Sequence, residues 1–254
     1  MQKFFKILTQ KFRKNRGKLS FEAFEKIKQK YCSYSEDSYT FLLFIQALGY
    51  PIEEKIDGLY YKPYFTLYKK DTYCVIDIET NGAKPGRSQV IEIGAIKIKD
   101  LKVVDRLETF VSCAYVPDNI IELTGITPTD LIDAPSQKEA FLMLRDFLED
   151  NIFVAHNVAF DYQFLNESFK RFGLGEIANP LLCTMDLAKK SIKAQKYGLA
   201  FLSEHLNINN PQHHRAYNDA KIASQIMLES FKYLPNSIKT TDELIRFVME
   251  KEAN

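Results

Sequence analysis

Apolar residues in the first 70 positions recur at helical spacing. Phe21, Phe24, Ile27 and Tyr31 share one helix face, and Phe41 to Leu48 forms a second apolar segment stopped by Gly49-Tyr50-Pro51. The tyrosine-rich stretch Leu59 to Phe65 reads as a short strand or a docking surface. At Tyr73 the period changes. Tyr73-Cys74-Val75-Ile76 is an apolar run of strand length, Gln89 to Lys99 alternates with Glu92, Lys97 and Lys99 between apolar residues, and Leu101 to Ser112 alternates again. These stretches predict three consecutive antiparallel strands. Ser136 to Asp150 reads as a helix opened by a capping box, Ser136 with Glu139. Short strands at 151–155 and 181–184 alternate with helices at 158–173, 185–193 and 199–206. A long helix follows at 214–233, and a last one at 241–252. Strand and helix alternation after an antiparallel start gives an α/β class with a mixed sheet flanked by helices. The expected division is a basic, mainly α-helical accessory domain over 1–70, a core over 71–235, and a C-terminal helix and tail over 236–254.

Composition narrows the class. The 254 residues are 46% hydrophobic and 26% charged, an ordinary globular balance. No apolar run approaches the ~20 residues that span a bilayer, so no membrane partner is expected. The N-terminus is charged from Lys3 and lacks a signal-peptide pattern. Cys32, Cys74, Cys113 and Cys183 are scattered without a CxxC pair, which reads as reduced thiols in a cytoplasmic protein. The net charge of +1 hides an asymmetry: residues 1–70 carry 14 Lys and Arg against 7 Asp and Glu, and the remainder carry 20 against 26. The basic excess meets phosphates or an acidic partner, or else forms a solvated helix face.

The candidate chemistry begins where the first core strand ends. Asp77 and Glu79 are two residues apart, so they project from one face. Adjacent carboxylates repel and need a counter-charge. Asp161 and Asp219 each stand early on a helix that is otherwise apolar or small, where an acid requires a partner. Four such acids suit two hard divalent cations, Mg²⁺ or Mn²⁺. Two ions at a phosphodiester activate water and stabilise the leaving oxygen. His156 and His214 both precede an acid by five residues, and spacing alone does not choose between them as a base. His205 and His213 read as helix-surface and loop residues.

Three motifs in order carry a family resemblance over about residues 73–234. Asp77-Ile78-Glu79-Thr80, His156-Asn157-x-x-Phe160-Asp161 and His214-x-x-x-x-Asp219 resemble the three exonuclease motifs of the DEDDh exonucleases, the group that includes the epsilon proofreading subunit of bacterial DNA polymerase III. Val90 to Ala95 and Leu123 to Thr127 resemble the segments between the first two motifs. The resemblance implies an RNase H-like fold over 71–235 and metal-dependent 3′→5′ release of nucleoside monophosphates from single-stranded or frayed DNA ends. It implies that Asp77 bridges both metals, that Glu79 and Asp219 complete the water side, and that Asp161 holds the second metal. It favours His214 as general base, a role for which the imidazole side chain is generally suited. His156 is then a substrate-side, supporting or core histidine.

Thr80, Asn119 and Thr124 align with positions beside the terminal nucleotide, Leu123 and Ile126 with a wedge against the last base, and Phe160 with the core. Lys189, Lys190, Lys193 and Lys196 track a phosphate backbone or solvate a helix face. The implied partners are a single-stranded DNA 3′ end and the polymerase III catalytic subunit. An exoribonuclease and a silent nucleic-acid- or polymerase-binding module are the alternatives. Typical proofreading subunits begin with the exonuclease domain and dock through a C-terminal tail. Here a basic unit precedes the core and about twenty residues follow it. This order directs docking to the N-terminal unit or makes the protein a stand-alone repair nuclease.

Overall fold

The computed structural model describes residues 1–32, 37–208 and 214–250. The chain opens with α1 (Gln2–Lys14), β1 (Lys18–Leu19), α2 (Phe21–Tyr31), α3 (Ser38–Ala47), the hairpin β2 (Ile52–Lys55) and β3 (Gly58–Tyr61), and a single turn α4 (Lys62–Phe65). The helices follow the apolar spacing. Ser20 and Asp37 cap α2 and α3 by accepting backbone N–H bonds. Phe4, Phe5, Leu8 and Phe12 turn one face of α1 onto Phe24, Phe41 and Ile45. The mainly helical expectation omits a three-stranded antiparallel sheet in the order β1-β3-β2. Its strands are two to four residues long, too short to show an alternation. The tyrosine-rich stretch enters it as β3, with Leu59 and Tyr61 buried.

The core begins with β4 (Thr72–Thr80), β5 (Val90–Lys99) and β6 (Lys102–Phe110), an antiparallel meander as expected. It continues through α5 (Asp118–Thr124), α6 (Gln137–Leu148), β7 (Ile152–Ala155), α7 (Val158–Arg171), β8 (Leu181–Cys183), α8 (Thr184–Ser191), α9 (Leu199–His205), α10 (Ala216–Ser230) and α11 (Thr241–Met249). The sheet order is β6-β5-β4-β7-β8, with β4, β7 and β8 parallel. The edge strand β6 keeps Lys102, Asp105, Arg106 and Glu108 toward solvent, a charge pattern that discourages pairing with another chain.

Strand parity sorts the two faces. Cys74, Ile76 and Ile78 pack with Phe141 and Leu144 of α6 and Phe164 and Phe169 of α7. Tyr73 and Val75 pack on the opposite face with Ala223 and Met227 of α10 and Leu244 and Ile245 of α11. Asp77 and Glu79 continue the parity of Tyr73 and Val75. Both therefore project from the face that α10 covers.

The N-terminal unit is anchored where β4, β7 and β8 begin. The Arg145 guanidinium donates to the carbonyls of Leu48, Leu174 and Glu176. Arg13 pairs with the buried Asp242 at 2.8 Å, and Lys62 pairs with Asp150. Leu67 bridges to Thr240. The backbone N–H of Tyr68 donates to the Lys239 carbonyl, and that of Thr241 donates to the Thr66 carbonyl.

Candidate functional site

Asp77 and Glu79 stand at the exit of β4, next to the register shift between Glu79 and Thr80. Asp161 lies in the first turn of α7 and Asp219 in the first turn of α10, both buried. A helix N-terminus carries partial positive charge, which favours an acid there. The local sequence brings α10 unusually close. Gly94 of β5 is paired opposite Asp77. A Cβ on Gly94 would lie 2.1 Å from the backbone nitrogen of Tyr217 and 2.2 Å from the carbonyl carbon of Ala216. Only glycine permits the start of α10 to press on the strand in this way. Just before the helix, His214 is exposed and adopts a left-handed φ of 61°. Its backbone N–H donates to Asp219 Oδ2 at 3.3 Å.

Ligand atoms of Glu79, His214 and Asp219 all lie within 4.8 Å of one another. Burial pushes the Asp77 carboxyl well above the ordinary carboxylate range, and repulsion from Asp161, Asp219, Glu79 and Glu92 adds to this. Burial, reinforced by Asp219, Glu92 and Asp161, raises Glu79 to about 8, while Arg215 opposes the shift. Burial likewise raises Asp161 to about 8 against backbone hydrogen bonds that pull it down. A cluster of acids this mutually repulsive, lined by oxygen donors and one imidazole, suits hard divalent cations.

His156 is differently placed. Its Nε2 is 2.9 Å from the Tyr197 carbonyl, which only accepts, so Nε2 carries the proton. Nδ1 then accepts from the Thr184 hydroxyl at 2.9 Å. Burial lowers its pKa to about 4. Both ring nitrogens are committed inside the fold, and the residue is half-buried where His214 is exposed. Of the other histidines named above, His205 ends α9 and His213 lies outside the described residues.

The expected substrate contacts divide. Leu123 is 49% exposed and Asn119 is exposed. Ile126 is buried with Ile91, Cys113, Val116 and Leu131, so its side chain faces inward and not toward a base. The Thr124 hydroxyl donates to the Ile120 carbonyl and accepts from the Ile126 N–H, and Thr80 donates to the Gly82 carbonyl. Both hydroxyls bond backbone at the ends of their own elements, Thr80 at the end of β4 and Thr124 at the end of α5. Phe160, expected in the core, is 38% exposed beside Asp161. Lys189 pairs with Asp186, and Lys190 donates to the carbonyls of Phe247 and Glu250 at the end of α11.

Glu92 is the functional neighbour that alternation mislabels. It occupies a polar position of an apparently half-exposed strand, yet it is 1% exposed. It lies opposite Glu79 and binds Arg215 at 2.8 Å. Its Oε2 also accepts the Ala216 backbone N–H at 2.9 Å. Gly94, two residues on, is the sequence signal for a close approach at this point.

A mixed sheet with acids at the exit of its central strand, joined by acids from two flanking helices, defines an RNase H-like nuclease fold. Residues 74–227 match the RNase T exonuclease family, and the chain belongs to that family. The chain is similar to the PolC-type DNA polymerase III of Staphylococcus haemolyticus, 35% identical over 171 residues, 66% of this chain and 12% of that polymerase. The corresponding polymerase of Bacillus cereus is 36% identical over 168 residues, 65% and 12%. The aligned part thus spans about 12% of the length of these curated relatives. Among solved structures, E. coli exonuclease I complexed with single-stranded DNA shares the fold, with a TM-score of 0.57 and 17% identity over 64% of this chain and 41% of that one. Exonuclease X with 5′-overhanging duplex DNA gives 0.52 and 23%, over 67% and 98%. Among the described residues no helix is long and apolar enough to cross a membrane.

Proposed function

We propose that the protein is a two-metal 3′→5′ exonuclease that releases nucleoside monophosphates from single-stranded or frayed DNA 3′ ends. The observation that carries this reading is the convergence of Glu79, Asp219 and the exposed His214 beside the repelling pair Asp77 and Asp161. Asp77, Glu79, Asp161 and Asp219 hold two Mg²⁺ or Mn²⁺ ions. When bound, the ions polarise the phosphodiester and stabilise charge on the leaving oxygen. The carboxylates alone would repel a phosphate, so the scissile group would settle at the strand exit only once cations neutralise them. His214, open to solvent, accepts the proton of the attacking water and passes it to bulk. Leu123 supports the terminal base and Asn119 lies beside it. His156 supports the site from within by fixing the Thr184 hydroxyl and the Tyr197 carbonyl.

The DNA role and proofreading for polymerase III are supported by relatives that are themselves DNA polymerases and by a fold neighbour complexed with single-stranded DNA. The polymerase catalytic subunit is the proposed partner, with the N-terminal unit as the docking element. The test is degradation of matched 5′-labelled single-stranded DNA and RNA with Mg²⁺, Mn²⁺ or chelator, with Asp77→Ala and His214→Ala beside wild type. A 3′→5′ ladder on DNA, lost with chelator and with either substitution, is expected. A ladder chiefly on RNA would keep the hydrolase and overturn the DNA role. Binding without a ladder on either would make the protein a silent binding module. Co-purification with the polymerase catalytic subunit tests the partner, and failure of the full chain to capture it would remove that role.

A further inference from the structure

We infer that Arg215 and Glu92 form a positioning latch that fixes His214 over the acid cluster, an inference that rests on the nuclease reading above. Arg215 is the N-cap residue of α10 and directly follows His214. Its guanidinium grips Glu92 through Nη2 at 2.8 Å and Nε at 3.1 Å. The guanidinium also lies over the Phe110 ring at 5.3 Å. Glu92 in turn accepts the N–H of Ala216, the first residue of the helix. The same carboxylate therefore holds the residue one after and the residue two after His214. It does so from β5, opposite Glu79. The backbone of His214 stands in the left-handed region, which a non-glycine residue keeps only when its surroundings impose it. A planar fork in two directions supplies that constraint, and a lysine would not.

The latch acts through His214, so its effect is conditional on that residue. Turnover is measured with Mn²⁺ and labelled single-stranded DNA for wild type, Arg215→Met, Arg215→Lys, His214→Ala and the Arg215→Met, His214→Ala pair. Arg215→Met is expected to lower kcat about 30- to 100-fold with KM changed less than about threefold, the scale of a 1 Å misplacement. Arg215→Lys recovers only part of it. In the His214→Ala background the same change costs less than about twofold, because the group it positions is gone. A wild-type kcat in Arg215→Met, or an equal loss in both backgrounds, would overturn the latch.

A second readout needs neither metal nor turnover. Amide exchange at residues 214–219 of the metal-free Arg215→Met protein is expected to quicken at least about tenfold, with exchange in β4 unchanged. Unchanged exchange at 214–219 would also overturn the latch. A wild type without metal-dependent turnover would defeat the nuclease reading instead, and the exchange result would then decide the latch alone.

Discussion

Replacing Gly94 with alanine tests how closely α10 must approach β5. A Cβ at this position runs into the backbone at the start of α10: Tyr217 N at 2.1 Å, Ala216 C at 2.2 Å and Tyr217 Cα at 2.4 Å. An ordinary van der Waals contact starts at 3.4 Å, so the start of α10 must retreat by about 1.3 Å. No flexible side chain is available to absorb the change. Overpacking of this kind costs about 1–3 kcal/mol. The retreat carries His214, Arg215 and Asp219 away from Asp77, which is paired opposite Gly94. A displacement near 1 Å is worth about 10²-fold in rate. Gly94→Ala should therefore lower kcat about 100-fold and weaken Mn²⁺ binding, measured by steady-state kinetics and titration calorimetry, with stability read by urea denaturation. Gly198→Ala is the control, since a Cβ there meets nothing within 4 Å and φ is −68°. Wild-type kcat and metal affinity in Gly94→Ala would refute the argument that this contact sets the site.

Three further outcomes follow from the charges. Glu79 and Asp161 hold their protons up to about 8 when folded but release them near their ordinary values of 4.5 and 3.8 when unfolded. The folded state therefore binds more protons, and chelated protein should lose thermal stability as pH rises from 6.5 to 8.5. His156 opposes the trend in part, because near pH 6.5 its unfolded ring is about half protonated while the folded ring, at about 4, is neutral, but the two carboxyls outweigh it. Added Mn²⁺ should reverse the loss, whereas a flat or rising melting temperature in chelator would contradict the clustering. Folding must protonate the Asp77 carboxyl, whereas an asparagine needs no proton, so Asp77→Asn should raise the melting temperature of chelated protein while abolishing turnover. A fall in both would show that Asp77 is needed for folding. His156→Ala leaves the Tyr197 carbonyl and the Thr184 hydroxyl without their ring partner and should cost about 1–3 kcal/mol in denaturant titration. His214→Ala should instead keep stability and lose about 10²–10⁴ in kcat. The reverse pattern would exchange the roles of the two histidines.

The order of elements was legible because each long segment agrees with its own period. The parity of Tyr73, Val75, Asp77 and Glu79 already placed two acids on one strand face. Two early helical acids, Asp161 and Asp219, stood out against apolar neighbours. What escaped depended on partners far along the chain. Glu92 looked solvent-facing because the residue that neutralises it, Arg215, lies 123 positions away. The spacing of His156 and His214 from an acid is identical, and only the carbonyl of Tyr197 and the hydroxyl of Thr184 separate them. Ile126 is buried where the resemblance suggests a wedge against the last base, and Phe160 is exposed where a core residue is expected, because single apolar residues in loops and first turns carry no period. The sheet of the N-terminal unit was missed for want of length, since two to four residues do not establish alternation.

The N-terminal unit grips the sheet at the starts of β4, β7 and β8, while Asp77 and Glu79 leave from the other end of β4. From Tyr73 to Glu79 the strand rises roughly 20 Å. The two ends are therefore separately addressable. A tether, a surface or a fluorophore attached through α2 or the β2–β3 hairpin would leave the acid end facing free solution. Single molecules held in this way could be supplied with a strand from above and followed one nucleotide at a time, with the handle well removed from the reacting end.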